Sequence, residues 1–219
     1  AIKKTYDLIV LVNPNSPTGK HFSKENMIRA ISQIPITTRV WVDETYVEYV
    51  GSDQSLEKVA ACSENIIFCK SISKVYALRG ARVAYLCGGQ HQIEPLRTIT
   101  PPWVISMPAQ LAGIYALDDP SYCGARYKET HTLKEAFSSE LSEIGLQVFS
   151  GAANFLLCKL PEGGKSAEEI VRICVTKGIY LRNASTMGTP IRENYLRIAV
   201  KNKVDNKRIV NTLKTAING

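Results

Sequence analysis

Two textures alternate along the chain: short unbroken apolar runs, and stretches in which apolar residues recur at helical spacing. The clearest run, Leu8-Ile9-Val10-Leu11-Val12, predicts within residues 6–12 a strand buried on both faces, as in a parallel sheet. Residues 13–19 follow as a turn of Asn, Pro and Gly. Ser23 then caps a helix over 23–33, with Glu25 and Asn26 in its first turn. Pro35 separates that helix from a strand at 39–43. The rhythm repeats as helix 55–61, strand 65–69, a turn containing Gly80, strand 82–87 and helix 90–96. It predicts an α/β layered domain, whose ligands bind beyond the carboxyl ends of the strands. Asn15, Asp43, Ser73 and Lys74 all fall just after such ends.

Pro101-Pro102-Trp103 makes a rigid extended break. A helix then starts at Ser106 or Pro108, with Ala109, Ala112, Ile114 and Leu117 as its apolar content. A long amphipathic helix over 121–144 ends at Gly145, a C-cap glycine. The remainder reads as strands 146–149 and 154–160, a Pro-Glu-Gly-Gly turn, helix 166–177, strands 179–182 and 195–200, and a last helix over 204–215. A small α+β layer of this kind needs helices on at least one face of its sheet.

Composition narrows the picture only a little. With 45% apolar and 21% charged residues in 219, the chain has the make-up of a globular protein with a substantial core. The net charge of +7 favours anionic partners, but the basic residues form no tract and do not alternate with aromatics, so nucleic acid is not expected. No apolar run approaches membrane-spanning length and no signal-peptide layout opens the chain. The six cysteines include no Cys-x-x-Cys pair and mostly sit in apolar contexts, predicting buried free thiols of a cytoplasmic protein. The three histidines stand far apart, which argues against a zinc site.

Candidate chemistry centres on residues 69–82. A lysine just off the end of a buried strand, Lys74, is placed to be desolvated, which lowers its pKa and makes its amine a usable nucleophile. Ser71 and Ser73 can donate hydrogen bonds to an anion beside it, and Arg82 adds a fixed positive charge. The same residues also read as a solvated loop. Asp43 reads either as a functional carboxylate or as the cap of the turn after its strand, with Tyr46 as core filler. Arg197, between Leu196 and Ile198, is costly in a strand unless it meets an anion. Arg182 reads as an edge-strand surface residue, and Arg192 as loop surface.

Four stretches in register, Asn13-Pro14-Asn15-Ser16-Pro17-Thr18-Gly19, Val42-Asp43-Glu44-Thr45-Tyr46, Ser71-Ile72-Ser73-Lys74 with Arg82, and Tyr195-Leu196-Arg197-Ile198, resemble the class I/II aminotransferases. The likeness is nearest to histidinol-phosphate aminotransferase and threonine-phosphate decarboxylase and covers nearly the whole chain. It implies an aspartate-aminotransferase-like fold of type I, α/β in its large domain (residues 1–145, ending in a bridging helix), with a small C-terminal α+β domain (146–219). It further implies pyridoxal 5'-phosphate as cofactor and a homodimer. Lys74 would bind the cofactor covalently and move a proton, Asp43 would pair with the ring nitrogen, and Tyr46 would reach the phenolic oxygen. Ser71, Ser73 and Arg82 would hold the phosphate, with Arg79 less suited because the family arginine matches the Gly-x-Arg position. Arg197 would take the substrate carboxylate or an equivalent anion, and Arg182 a substrate phosphate.

The resemblance also implies amine transfer between a small amino compound, phosphorylated or not, and a 2-oxo acid such as 2-oxoglutarate. Decarboxylation of a threonine-phosphate type and a catalytically inactive domain stand as alternatives. One departure concerns the asparagine that precedes Pro-Thr-Gly in the family: that position is Ser16 here, so either Ser16 or the neighbouring Asn15 would contact the phenolic oxygen. Gly151-Ala152-Ala153-Asn154-Phe155 resembles the family's strand entrance. Trp103 and Met107 fall where a family loop packs near the cofactor, with core packing expected for Met107. The family's phosphate-cradling turn and ring-stacking aromatic lie upstream of the asparagine turn. The chain is therefore expected to be the C-terminal portion of a longer enzyme, weak in cofactor binding and inactive alone.

Overall fold

The computed structural model describes residues 6–188, 191 and 194–219. It resolves into two compact units. The first comprises the described residues up to Pro14 with His21–Gly124, and the second comprises Asn15–Lys20 with Ala125–Gly219.

The first unit is built on a four-stranded sheet in the order β1 (Leu8–Val12), β2 (Arg39–Asp43), β3 (Ile66–Ser71) and β4 (Ala84–Cys87). The first three strands are parallel and β4 is antiparallel to β3. Helix α1 (Lys24–Ile31) is capped by Ser23, whose hydroxyl accepts from the Asn26 N–H, and short α2 (Glu57–Ala61) precedes β3. Because side chains alternate along a strand, Val40, Val42, Ile66 and Phe68 share one face and bury against Met27, Ile31, Leu56 and Ala60. The chain continues through α3 (Ile72–Val75), α4 (Gln90–Ile99) and α5 (Met107–Leu117).

Helix α6 (Pro120–Glu143) contains the division between the units, and Gly145 after it adopts φ +93°. The second unit has an antiparallel sheet in the order β5 (Gln147–Phe149), β6 (Phe155–Lys159), β8 (Tyr195–Ala199) and β7 (Arg182–Asn183). Helix α7 (Ala167–Thr176) starts with a reciprocal Ser166–Glu169 capping box. Helix α8 (Lys203–Asn218) starts with Asn202, which accepts from the Asp205 N–H. One core joins Leu156 and Cys158 of β6 and Leu196 and Ile198 of β8 to Phe137, Leu141, Ile170 and Leu213 from the helices. Among the described residues no helix is long and apolar enough to cross a membrane.

Several expectations change. Strand β1 is not buried on both faces: Leu8 is 52% and Val10 58% exposed, because β1 is an edge strand whose second face is uncovered. Arg82 lies outside β4, in the left-handed region at φ +55°, since pairing with β3 stops at Ser71–Ala84. Only Arg182 and Asn183 form β7, where residues 179–182 were expected. On α5, Ala109 and Gly113 are buried while Ile114 and Leu117 are exposed. Met107 is 67% exposed rather than core, and Trp103 is 92% exposed. Of the six free cysteines, Cys123, Cys158 and Cys174 are buried, Cys69 and Cys87 half-buried, and Cys62 exposed. Arg192 lies outside the described residues.

Candidate functional site

In the first unit the carboxyl ends of β2 and β3 lie side by side, Asp43 pairing with Cys69. Register places Val12, Asp43, Cys69 and Leu86 in one row across the sheet, on the face opposite α1 and α2. The main chain around Asp43 is pinned on both sides: its carbonyl accepts from the Asn13 N–H (2.9 Å), and the Glu44 N–H donates to the Cys69 carbonyl (3.0 Å). The Asp43 Oδ1 accepts from both the backbone N–H (2.9 Å) and the hydroxyl (2.6 Å) of Thr45. Its Oδ2 takes part in no hydrogen bond among the described residues. Burial, and then the neighbouring Asp43 carboxylate, push the Cys69 thiol up to about 11, so it stays protonated near neutral pH.

Two lysines stand near the end of β3, Lys70 within the strand and Lys74 beyond it in α3. Lys70 is buried on the covered face, ion-paired with Glu48 and close to the rings of Phe68 and Tyr85. Lys74, in α3, is exposed, with its ammonium 4.7 Å from the centre of the Tyr46 ring. The expected desolvation of Lys74 is therefore not present: it stands in solvent, braced by an aromatic face. Tyr46 is buried. Ser71 caps α3 by accepting from the Ser73 N–H (3.4 Å), which leaves its hydroxyl proton for donation, and Ser73 is buried. Arg82 is exposed, with a long contact to the Arg79 carbonyl (3.5 Å).

In the second unit the turn at Asn15–Lys20 meets the entrance to β6. Gly19 and Gly151 approach backbone to backbone, so that a Cβ at Gly19 would stand 2.9 Å from the Gly151 Cα, and the Ala152 N–H donates to the Gly19 carbonyl (2.7 Å). Only glycine fits both demands at position 19, where φ is +69°. Asn15 turns its amide to the Thr18 hydroxyl (2.9 Å), while the Ser16 hydroxyl accepts from Arg197 (2.7 Å). Arg197 is half-buried, its guanidinium 5.0 Å from the centre of the Phe155 ring, and it forms no ion pair among the described residues. Arg182 is its direct cross-strand partner, so two arginines stand side by side on one sheet face. Like charges directly opposite oppose sheet pairing unless an anion offsets them.

Three residues with roles here carry no obvious sequence signal. Thr45 binds Asp43, and its place two residues after a strand-end aspartate is the only pointer to it. Glu44 is fully buried, accepts from the Leu56 N–H (3.0 Å), and is held above the usual carboxylate range by burial. Lys134 donates to the carbonyls of Gly151 (2.6 Å) and Ala153 (3.2 Å), bracing the loop against which Gly19 rests.

A parallel-to-mixed sheet with candidate residues past its strand ends, followed by a smaller antiparallel α+β unit, is an aspartate-aminotransferase-like fold. The family model for aminotransferase class I and II matches residues 1–213, and the chain belongs to that family. It is 27% identical over 220 residues to histidinol-phosphate aminotransferase 2 of Carboxydothermus hydrogenoformans, covering 99% of this chain and 59% of the relative. The chain thus spans a little over half the length of this curated relative. A decarboxylase structure from Sulfurospirillum multivorans superposes with TM-score 0.85 at 25% identity, over 97% of this chain and 62% of that one. The fold is shared too with histidinol-phosphate aminotransferase from Sinorhizobium meliloti in complex with pyridoxal 5'-phosphate, with TM-score 0.86, 24% identity, and coverage of 96% of this chain and 57% of that one.

Proposed function

We propose that this chain is the part of a pyridoxal-phosphate enzyme that carries its covalent and electronic residues, and that the whole protein transfers an amino group between a small amino compound and a 2-oxo acid such as 2-oxoglutarate. The observation that carries the reading is the pairing of β2 with β3, which brings the ends of the two strands together so that Asp43 and the segment leading to Lys74 leave the same end of one sheet. The donor set suits the cofactor: a carboxylate with one uncommitted oxygen, an exposed primary amine, two hydroxyls and an arginine. When bound, pyridoxal 5'-phosphate supplies an electron-withdrawing ring for chemistry at the carbon bearing the amine.

In this reading Asp43 keeps the ring nitrogen protonated, and Tyr46 faces the phenolic oxygen. Ser71, Ser73 and Arg82 hold the phosphate. Lys74 attaches the cofactor and moves the proton as general base. The commitment of Lys70 to Glu48 supports Lys74 as the attachment point. The adjacency of Arg182 and Arg197 supports recognition of a doubly anionic substrate, such as an amino compound bearing phosphate. A homodimer, as the resemblance implies, is part of the proposal. Similarity to the Sulfurospirillum decarboxylase supports a second reading, loss of carbon dioxide from an amino acid on the same residues. Which bond reacts depends on how the substrate is oriented.

The test uses the full-length protein. Borohydride reduction in the presence of the cofactor, followed by peptide mapping, is expected to label Lys74, and Lys74→Ala to lower turnover at least about a hundredfold. A label on Lys70, or no label, sinks the reading. A panel of phosphorylated and unphosphorylated amines, scored for glutamate formation and carbon dioxide release, separates transfer from decarboxylation.

A further inference from the structure

Asp43 is held on one side only. Its carbonyl accepts from the Asn13 N–H, the next residue's N–H (Glu44) donates to the Cys69 carbonyl, and its Oδ1 is taken twice by Thr45, through the N–H at 2.9 Å and the hydroxyl at 2.6 Å. Thr45 is itself enclosed: it is 3% exposed, and the preceding Glu44 accepts from the Leu56 N–H. A carboxylate has two equivalent oxygens and a soft terminal torsion, so nothing in aspartate itself decides which oxygen faces a partner. A second donor on the same oxygen, delivered by a branched side chain with restricted rotamers, removes that freedom.

We propose that Thr45 is a positioning residue: by occupying Oδ1 with its hydroxyl, it fixes the rotation of the Asp43 carboxylate and reserves Oδ2 for the protonated ring nitrogen of the cofactor. The inference rests on the reading of Asp43 given above. It also explains why the turn-capping and functional roles of Asp43 do not compete, since each uses a different oxygen.

The experiment measures binding rather than turnover. Full-length protein is freed of cofactor and titrated with pyridoxal 5'-phosphate and with its 1-deaza analogue, in which CH replaces the ring nitrogen. Wild type is expected to prefer the natural cofactor. Thr45→Val keeps the shape and the backbone donor, and is expected to shrink that preference by about three- to tenfold, the factor for one hydrogen bond. Thr45→Ser is expected to restore it to within about twofold. If Thr45→Val does not fold, Thr45→Ala against Thr45→Ser gives the same comparison. A variant that weakens both ligands equally, or leaves the preference unchanged, overturns the proposal, because a merely structural threonine cannot distinguish nitrogen from carbon in the ring. Asp43→Asn in the same assay separates the two levels. If it abolishes the preference while Thr45→Val does not, only the role of Thr45 falls. If wild type shows no preference, or Asp43→Asn leaves it intact, the reading of Asp43 fails and the Thr45 proposal falls with it.

Discussion

Strands β1 and β6 are both five residues long, and β1 is the more uniformly apolar, yet four residues of β6 are buried while Leu8 and Val10 of β1 are more than half exposed. The difference lies in position. Strand β6 sits inside its sheet between β5 and β8, and its core-facing residues meet helices. Strand β1 is an edge with helices on one face only. Composition alone therefore does not say how much a strand contributes: β6 lies in a continuous core, while the first unit leaves Leu8 and Val10 of β1 and the outer side of α5 exposed. The proposed chemistry divides along the same line. Covalent and electronic residues lie in the first unit, and paired arginines for anions in the second.

The sharpest way to break the packing half of this comparison is Phe137→Ala. Phe137 is fully enclosed in the second unit's core, so its loss is expected to cost about 3–5 kcal/mol in urea unfolding. Leu8→Ala is the matched control, expected within about 0.5 kcal/mol because half the side chain is already in water. A large effect at Leu8 would mean that its exposed face is covered in solution. For the recognition half, Arg197→Lys loses the planar fork and is expected to weaken transition-state binding of an anionic substrate by about 1.5–3 kcal/mol, read from kcat/KM. Arg182→Ala is expected to lower the discrimination between phosphorylated and unphosphorylated substrates, and unchanged discrimination would remove it from that role.

The smallest effect concerns Glu44. Burial raises its pKa in the folded protein, so between the ordinary carboxylate range and that raised value the folded state binds more protons than the unfolded. Its contribution to stability is thus fully present at low pH and is lost as pH rises through the window. Glu44→Gln is expected to remove that fall, visible as a flatter dependence of the urea midpoint on pH. An identical slope in both proteins would show that Glu44 titrates normally.

Much of the fold was legible in the sequence because local signals agreed with tertiary structure. The Ser23 cap and the glycine after α6 mark helix ends through backbone chemistry that does not depend on distant residues. The misjudged features are those set by distant partners. Exposure of β1 depends on what covers its outer face, and Arg82 leaves the strand because the partner pairing ends at Ala84. Among the candidate site residues, strand-end positions of Asp43 and Lys74 followed from the apolar runs. The Ser16–Arg197 bond, 181 residues apart in the chain, did not. Nor did the adjacency of Arg182 and Arg197, which depends on β7 pairing outside β8.

The segment Asn15–Lys20 is an excursion: the chain leaves the first unit for six residues and returns at His21. Its docking partners at Gly151 and Ala152 are synthesised roughly 130 residues later, which at about 5–20 residues per second is on the order of ten seconds of translation. During that interval the Ala152 N–H and the Arg197 guanidinium that the turn will serve do not yet exist. The second unit therefore cannot be obtained whole as a single continuous stretch of gene, and a turn made early must wait for the later chain before its hydrogen bonds to that unit can close.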